Sequence, residues 1–453
     1  MMIRENARGM AVQMLTRVEV EGAYANLLLQ KNIGRLMDSR DRQFATLLVN
    51  GALKHRLTLD YALRRHLSKP MSALPHEVRA ILRIGAFQIL YVDKVPAAVA
   101  VNESVELAKP FPKYTGLVNV VLRKIMNAAW DFPWPDAKHD TVRYLSVRYS
   151  HPEWMIQRWL KRWGLEETEA LCRANNESAQ TWIRTNTLKI SREDLVTRLT
   201  QEGIVVEVGT RIPESLMIQN FGALDQLESF REGLFTVQDE SSQLVAHVVD
   251  PKPGQRVLDA CSAPGGKTTH LAQMMDNAGE ILAFDVHAHK LEFIDQLAQR
   301  LGITIIQPQL GDARDLPGVR LGSQQRVLVD APCSGLGVLR RRADLRWQKE
   351  EQDLLELPKL QLAILERAAS CVAVGGDLIY STCTIEPDEN FELVKTFRMA
   401  HPEFEPVNLV ENLPFPLEDL REIQQARKGM LQLLPHRQGM DGFFLAKFRR
   451  REV

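Results

Sequence analysis

Two cysteines stand in settings that suit chemistry better than packing. Cys333 lies in Asp330-Ala331-Pro332-Cys333-Ser334-Gly335, and Cys383 lies in Ser381-Thr382-Cys383-Thr384-Ile385-Glu386-Pro387. Each follows a short apolar run, Arg326-Val327-Leu328-Val329-Asp330 or Asp377-Leu378-Ile379-Tyr380. A cysteine is ordinarily a small core hydrophobe, the reading that suits Cys172 and Cys371. A thiol among turn residues just past a strand, in one case three positions after Asp330, is instead placed to act as a nucleophile or to assist one.

A third motif, Cys261-Ser262-Ala263-Pro264-Gly265-Gly266-Lys267-Thr268, follows Arg256-Val257-Leu258-Asp259 and precedes a helical stretch. Paired glycines let the backbone approach a ligand closely, and a helix N-terminus favours negative charge. Gly-Lys-Thr invites a P-loop reading, with Val327-Leu328-Val329-Asp330 as its magnesium-binding strand. Cys261 occupies the place of that motif's first glycine, however, which disfavours a nucleotide triphosphatase. Asp285 ends the run Ile281-Leu282-Ala283-Phe284-Asp285, a position from which a carboxylate accepts hydrogen bonds from ribose hydroxyls. Asp312, in Gly311-Asp312-Ala313-Arg314, follows Ile303-Thr304-Ile305-Ile306 and suits an adenine amino group. Either Asp alone reads as a cap or turn residue. With the glycine turn, the two point to a cofactor containing adenosine.

These residues need a sheet to gather them. The apolar runs alternate with helical stretches, and three of them end in Asp. That pattern predicts an α/β domain over 236–453 with an open, doubly wound, mostly parallel sheet whose ligands collect at the strands' carboxyl ends. Residues 131–235 read as a helical linker and a small α/β unit. In that unit Trp182 to Thr187 is extended, Ser191-x-x-Asp194 caps a helix through Leu199, and Gly203 precedes the strand Ile204–Val208. Residues 1–130 read as all-helical. Val78, Ile81, Leu82, Ala86 and Ile89 share one helix face, similar patterns run through 5–18, 41–55, 97–109 and 116–127, and Lys69-Pro70 and Pro110-Phe111-Pro112 are breaks. Six of the seven tryptophans (130, 134, 154, 159, 163 and 182) fall between 128 and 182, where packing between elements is favoured over a base-stacking surface.

Composition sets further bounds. Of 453 residues, 45% are hydrophobic and 25% charged, which excludes wholesale disorder. Lys plus Arg and Asp plus Glu each total 57, yet residues 1–150 hold 22 basic against 13 acidic side chains. A basic segment joined to an acidic one raises the question of nucleic acid. Five cysteines with no C-x-x-C pair argue against a disulfide framework or a zinc site, and no metal is expected. The start, Met1-Met2-Ile3-Arg4-Glu5-Asn6, is charged where a signal peptide turns apolar. No apolar run approaches the ~18 residues of a membrane span. A cytoplasmic protein without a membrane partner is expected.

The motifs also carry a resemblance. Asp259 to Thr268, Pro332-Cys333-Ser334-Gly335 and Ser381-Thr382-Cys383-Thr384, in this order, resemble the RNA cytosine-5 methyltransferases of the Sun (Fmu) family. Gln238-Asp239-Glu240-Ser241-Ser242 and Gln438-Gly439-Met440-Asp441-Gly442-Phe443-Phe444 extend the likeness over about 236–450. Separately, Arg83-Ile84-Gly85-Ala86-Phe87-Gln88-Ile89-Leu90, Asn102-Glu103-Ser104-Val105-Glu106-Leu107-Ala108-Lys109 and Gly116-Leu117-Val118-Asn119-Val120-Val121-Leu122 resemble the RNA-binding antitermination factor NusB.

The combination implies a Rossmann-like methyltransferase domain, S-adenosylmethionine as cofactor, 16S ribosomal RNA as substrate, and a monomer. Carried over residue by residue, the resemblance makes Cys383 the nucleophile at cytosine carbon 6. Cys333 assists product release, and Asp330 hydrogen-bonds the base. The cofactor falls to the 261–267 loop (Cys261, Ser262, Ala263, Pro264, Gly265, Gly266, Lys267) with Asp285, Asp312 and Asp330. The basic head would hold RNA through phosphates. A non-catalytic RNA-binding assembly factor has no need of both loop cysteines. A DNA cytosine-5 methyltransferase, with its nucleophile in the Pro-Cys loop, would leave Cys383 unexplained.

Overall fold

A computed structural model describes residues 6–32 and 38–452. They form two compact units, one running to Ser178 and including Leu339–Lys349, the other comprising Ala179–Val338 and Glu350–Val453.

The first unit is helical. Helices Ala7–Glu21, Ser39–Lys54, His76–Tyr91, Ala97–Ala108 and Pro112–Ala128 realise the apolar periodicities of the sequence. Ala25–Asn32 and Arg56–Arg64 are two shorter helices that no periodic run announces. Leu48, Val49, Ile81, Ile84, Val118 and Leu122 are fully buried in one common core. Close approach of two helices requires Gly51, where a Cβ would stand 2.0 Å from the Phe87 ring. Pro112 opens its helix at the position where the missing N–H costs nothing.

The inserted segment Leu339–Lys349 completes this unit. The fully buried Arg346 guanidinium donates to the carbonyls of Lys54 (3.2 Å), Ser150 (2.9 Å) and Asn175 (3.2 Å). Those residues end the helices Ser39–Lys54, Thr141–Tyr149 and Glu153–Ala174, whose last carbonyls lack intrahelical partners and carry negative partial charge. Burial lowers the pKa of Arg346 to about 9, so the cation depends on these dipoles. Trp347 Nε1 adds a bond to Leu53 O at 2.7 Å.

The second unit carries two sheets. The smaller is antiparallel, with order β2-β3-β1-β4, from β1 (Thr181–Thr185), β2 (Val205–Val208), β3 (Ser215–Gln219) and β4 (Phe235–Val237). As the sequence predicts, Ser191 caps the helix Arg192–Gln201 by accepting from Asp194 N.

The larger sheet uses β5 (Arg256–Asp259), β6 (Glu280–Asp285), β7 (Ile306–Leu310), β8 (Gln324–Asp330), β9 (Val372–Thr382), β10 (Phe404–Pro406), β11 (Met430–Leu433) and β12 (Phe443–Arg450). Its order is β10-β12-β9-β8-β5-β6-β7, with β11 beside β12. The strands β5 to β9 run parallel, while β12 joins β9 antiparallel. The doubly wound expectation therefore holds, with an antiparallel margin added. The chain order reverses between β5 and β8, the switch point outside whose carboxyl ends ligands bind in such sheets.

One strand lies later than the apolar run suggested. β7 begins at Ile306 and contains Gln307, Pro308 and Gln309, because it is an edge strand and needs neither two apolar faces nor every N–H.

Arg346→Met keeps the side-chain stem but leaves interior carbonyls at three helix ends unpaired. It should cost about 3 kcal/mol of stability by urea unfolding of the full chain. A loss below about 0.5 kcal/mol would deny Arg346 this role.

Candidate active site

Parallel pairing of β8 with β9 sets Asp330 opposite Ser381, and Ala331 N continues the ladder to Ser381 O at 2.9 Å. The next residues of both strands turn out of the sheet together. Cys333 and Cys383 thereby meet with their sulfurs 3.3 Å apart, both as free thiols. Glycine makes the approach possible. A Cβ on Gly337 would lie 2.1 Å from Gly442 O and 2.8 Å from Cys383 O. Gly337 N donates to Cys383 O (3.0 Å) and Gly442 N to Gly337 O (2.8 Å), which places the Met440-Asp441-Gly442 motif against the thiol loops.

Two residues that sequence reasoning missed hold these loops. Glu389 is fully buried and accepts from Ser334 N (2.9 Å), Ser334 Oγ and Gln361 Nε2 (2.8 Å). Asn390 donates to Thr384 O (3.0 Å) and accepts from Thr382 Oγ1 (2.6 Å), so it spans Cys383 on both sides. Asn390 occupies the cap of helix Phe391–Ala400, but its side chain makes no capping bond.

The charges around the sulfurs are unequal. The hydrogen bond from Cys333 lowers the pKa of Cys383, and the Lys267 charge helps, against burial and the Asp330 charge. Cys333 is pushed well above the ordinary thiol range by that same hydrogen bond, then by burial and the nearby negative groups. Lys267 Nζ lies 2.5 Å from Asp330 Oδ2, while Ser381 Oγ donates to Asp330 Oδ1 at 2.7 Å. Burial opposes the charge on Lys267, but Asp330 overrides it and raises the pKa.

The loop after β5 is tied to β6, since Ser262 N and Oγ both donate to Phe284 O (2.8 and 2.9 Å). Gly265, at φ +98°, turns the chain into helix Gly266–Met274. The first turn of that helix is braced by Arg184 of β1, a fully buried cation bonded to Gly266 O (2.8 Å), Thr269 Oγ1 (3.1 Å), Gln273 Oε1 (3.2 Å) and Gln238. Beneath the loop, burial pushes the Asp259 carboxyl up to about 7.

Cys261, Ala263, Asp285, Asp312, Asp330, Cys333 and Cys383 line one cavity of about 450 Å³. Ser262, Pro264, Gly265, Gly266 and Lys267 are not among its lining residues, although Lys267 is bonded to Asp330 there. Asp312 is already engaged, accepting from Arg314 N (2.8 Å) and Nη2 (2.6 Å), and Arg314 holds its pKa below the usual carboxylate range.

The Cys261 thiol is pushed well up, first by burial and then by Asp259, Asp330, Asp285 and Asp312. Asp285, Asp312 and Asp330, the last two paired with Arg314 and Lys267, offer acceptors that suit a ligand with hydroxyls and amino groups. The volume lies within the ~300–1,000 Å³ of small-molecule sites. The residues present therefore fit S-adenosylmethionine.

Apart from this cavity, Glu214 Oε1 lies 2.9 Å from His247 Nε2 and 2.6 Å from His270 Nε2. Ligands held ~2.0–2.1 Å from a zinc ion in a tetrahedron stand farther apart than that. Burial, and after it the Arg184 charge, lower His270 to about 4.

Comparison with known proteins agrees with this geometry. Residues 246–449 match the family described as 16S rRNA methyltransferase RsmB/F, 5–127 match the NusB family, and 151–225 match the ferredoxin-like domain of RsmF/B-like methyltransferases. A Bacillus subtilis protein described as a probable ribosomal RNA small subunit methyltransferase B is 39% identical over 99% of this chain and 100% of its own. The chain belongs to this rRNA methyltransferase family.

A Synechocystis relative of the same description is 34% identical, covering 98% of this chain and 99% of its own. The crystal structure of the protein PH0851 superposes with TM-score 0.81 at 29% identity, over 99% of this chain and 100% of that one. Membership makes the protein an S-adenosylmethionine-dependent methyltransferase of ribosomal RNA. Among the described residues, no helix is long and apolar enough to cross a membrane.

The inequality of the two thiols can be measured by iodoacetamide alkylation of Cys383 against pH, read by mass spectrometry of its peptide. Cys333→Ala removes the hydrogen bond that lowers Cys383, so the profile should move to higher pH. An unmoved profile would mean that Cys333 does not activate its neighbour.

Proposed function

We propose that the protein transfers a methyl group to carbon 5 of a cytosine in 16S ribosomal RNA, in the cytoplasm, through a covalent adduct on Cys383. The 3.3 Å approach of the Cys333 and Cys383 thiols at a cavity lined also by Asp285, Asp312 and Asp330 carries this reading. Carbon 5 of cytosine is a weak nucleophile. Addition of the Cys383 thiolate to carbon 6 pushes the ring electrons towards carbon 5, as covalent catalysis requires. S-adenosylmethionine supplies an electrophilic methyl group on a sulfonium. Transfer leaves the cofactor as a neutral thioether; the carbon-5 proton then passes to water, the carbon 5–carbon 6 double bond re-forms and Cys383 departs as thiolate.

The remaining residues have supporting parts. Cys333, with its raised pKa, is suited to assist that departure rather than to begin the attack. Asp330, held by Lys267 and Ser381, presents its carboxylate to the exocyclic amino group of cytosine, which uracil lacks. Asp285 accepts from the cofactor's ribose hydroxyls and Asp312 from its adenine amino group, while the 261–267 loop positions the rest. A base in a duplex cannot reach such a cavity, so an unpaired or extruded cytosine is the substrate.

Substitution separates the two roles. Cys383→Ala should abolish methyl transfer and any covalent protein–RNA species. Cys333→Ala should attack and methylate but release poorly, and so accumulate a cofactor-dependent adduct that survives denaturing gel electrophoresis. An adduct trapped in Cys383→Ala instead would move the nucleophile to Cys333, and no adduct in either variant would defeat the covalent mechanism.

A further inference from the structure

The tryptophan-rich segment belongs only partly to the core. Trp159 is 1% exposed and meets His151 edge-on at 5.5 Å, as packing predicts. Trp130, by contrast, is 39% exposed. Together with Trp134 it walls an open groove of about 620 Å³ in the helical unit, lined also by Tyr91, Arg148, Tyr149 and Arg173.

The two indole rings lie 24° from parallel with centroids 6.3 Å apart, and Tyr91 meets Trp130 edge-on at 4.9 Å. Their faces are therefore held in fixed directions by neighbours. The Arg148 guanidinium lies 4.5 Å over the Trp134 ring, and Arg148 belongs to helix Thr141–Tyr149. Arg143 of the same helix lines a neighbouring cleft of about 780 Å³ together with Arg56, Arg64 and Lys349. The negative groups facing the first groove are Glu177, which lines it, and Glu169, which pairs with Arg173 at 2.6 Å.

We propose that this groove is an RNA subsite that takes an unpaired nucleotide, with its base against Trp130 and Trp134 and its phosphate at Arg148. The proposal rests on the ribosomal RNA reading above and adds where, outside the catalytic cavity, the substrate is held. Indole faces and a guanidinium plane bind the flat face of any base, and the cation answers the adjoining phosphate. Base pairs in a helix show no such face, so the groove selects single strands, loops or bulges. The basic surplus of residues 1–150 suits a polyanion and disfavours an apolar peptide. Because Glu169 occupies Arg173, Arg148 bears the phosphate contact.

The test uses the full chain, titrated with a short single-stranded oligoadenylate and with a blunt RNA duplex of equal length, beside a methyl-transfer assay on 16S ribosomal RNA. Trp130→Ala should weaken oligoadenylate binding about tenfold and leave duplex binding within about twofold. Trp130→Phe should restore most of the loss. Arg148→Gln should weaken binding and reduce the slope of affinity against salt by about one.

Wild-type affinity for oligoadenylate in a Trp130→Ala protein with an unchanged unfolding midpoint would overturn the proposal. So would equal losses for single strand and duplex. Methylation of ribosomal RNA with binding indifferent to Trp130 would overturn the groove and keep the functional reading. Stacking without methyl transfer would keep the groove and overturn that reading.

Discussion

The active site depends on one parallel strand pairing. With Asp330 opposite Ser381, the chains leaving β8 and β9 turn at the same level, and two cysteines fifty positions apart in sequence come within 3.3 Å. A one-residue slip of β9 against β8 would turn the side chains of one loop to the opposite face of the sheet from those of the other. The pairing is secured in depth. Asp330 and Ser381 are joined by a side-chain hydrogen bond as well as by the ladder, Gly337 and Gly442 allow the loops to touch, and Glu389 and Asn390 bind them from within.

Electrostatics then separates what symmetry of type would leave equal. Both thiols are cysteines, both are enclosed, and Asp330 and Glu389 raise both, but the hydrogen bond between them lowers Cys383 and raises Cys333, with the Lys267 charge adding to the lowering of Cys383. Lys267 is itself kept charged by Asp330, so one ion pair fixes the Asp330 carboxylate and adds to the lowering of the Cys383 pKa. A similar economy appears at two buried arginines. Arg184 binds the first turn of the cofactor-loop helix, and Arg346 binds the carbonyl ends of three helices. Arg346 orders carbonyls at helix ends that lack intrahelical partners, which is how a costly buried charge becomes an organising one.

Much of this was legible in the sequence where local signals and tertiary roles coincide. The strands ending in Asp259, Asp285 and Asp330 are continuous apolar runs because both faces are covered, and their last residues do line or underlie the cavity. Legibility failed where the role is non-local. β7 looked like its apolar approach because an edge strand can be polar. Glu389 and Asn390 were missed, since nothing in one dimension shows that their side chains turn inward. Nothing local marks residues 339–349 as belonging with the helical unit, although Arg346 and Trp347 pack among helices some three hundred positions earlier. The tryptophan cluster mixed a core residue, Trp159, with an exposed one, Trp130, and composition cannot divide them.

The central claim is that the register delivers Cys383, and not Cys333, to cytosine carbon 6. It is met most directly by incubating the protein and S-adenosylmethionine with ribosomal RNA containing 5-fluorocytosine, whose fluorine cannot leave as a proton does. Nuclease and protease digestion followed by mass spectrometry then locates the trapped, methylated nucleotide. It should be found on the peptide containing Cys383. A nucleotide on the Cys333 peptide, or on neither, would contradict this account of the site.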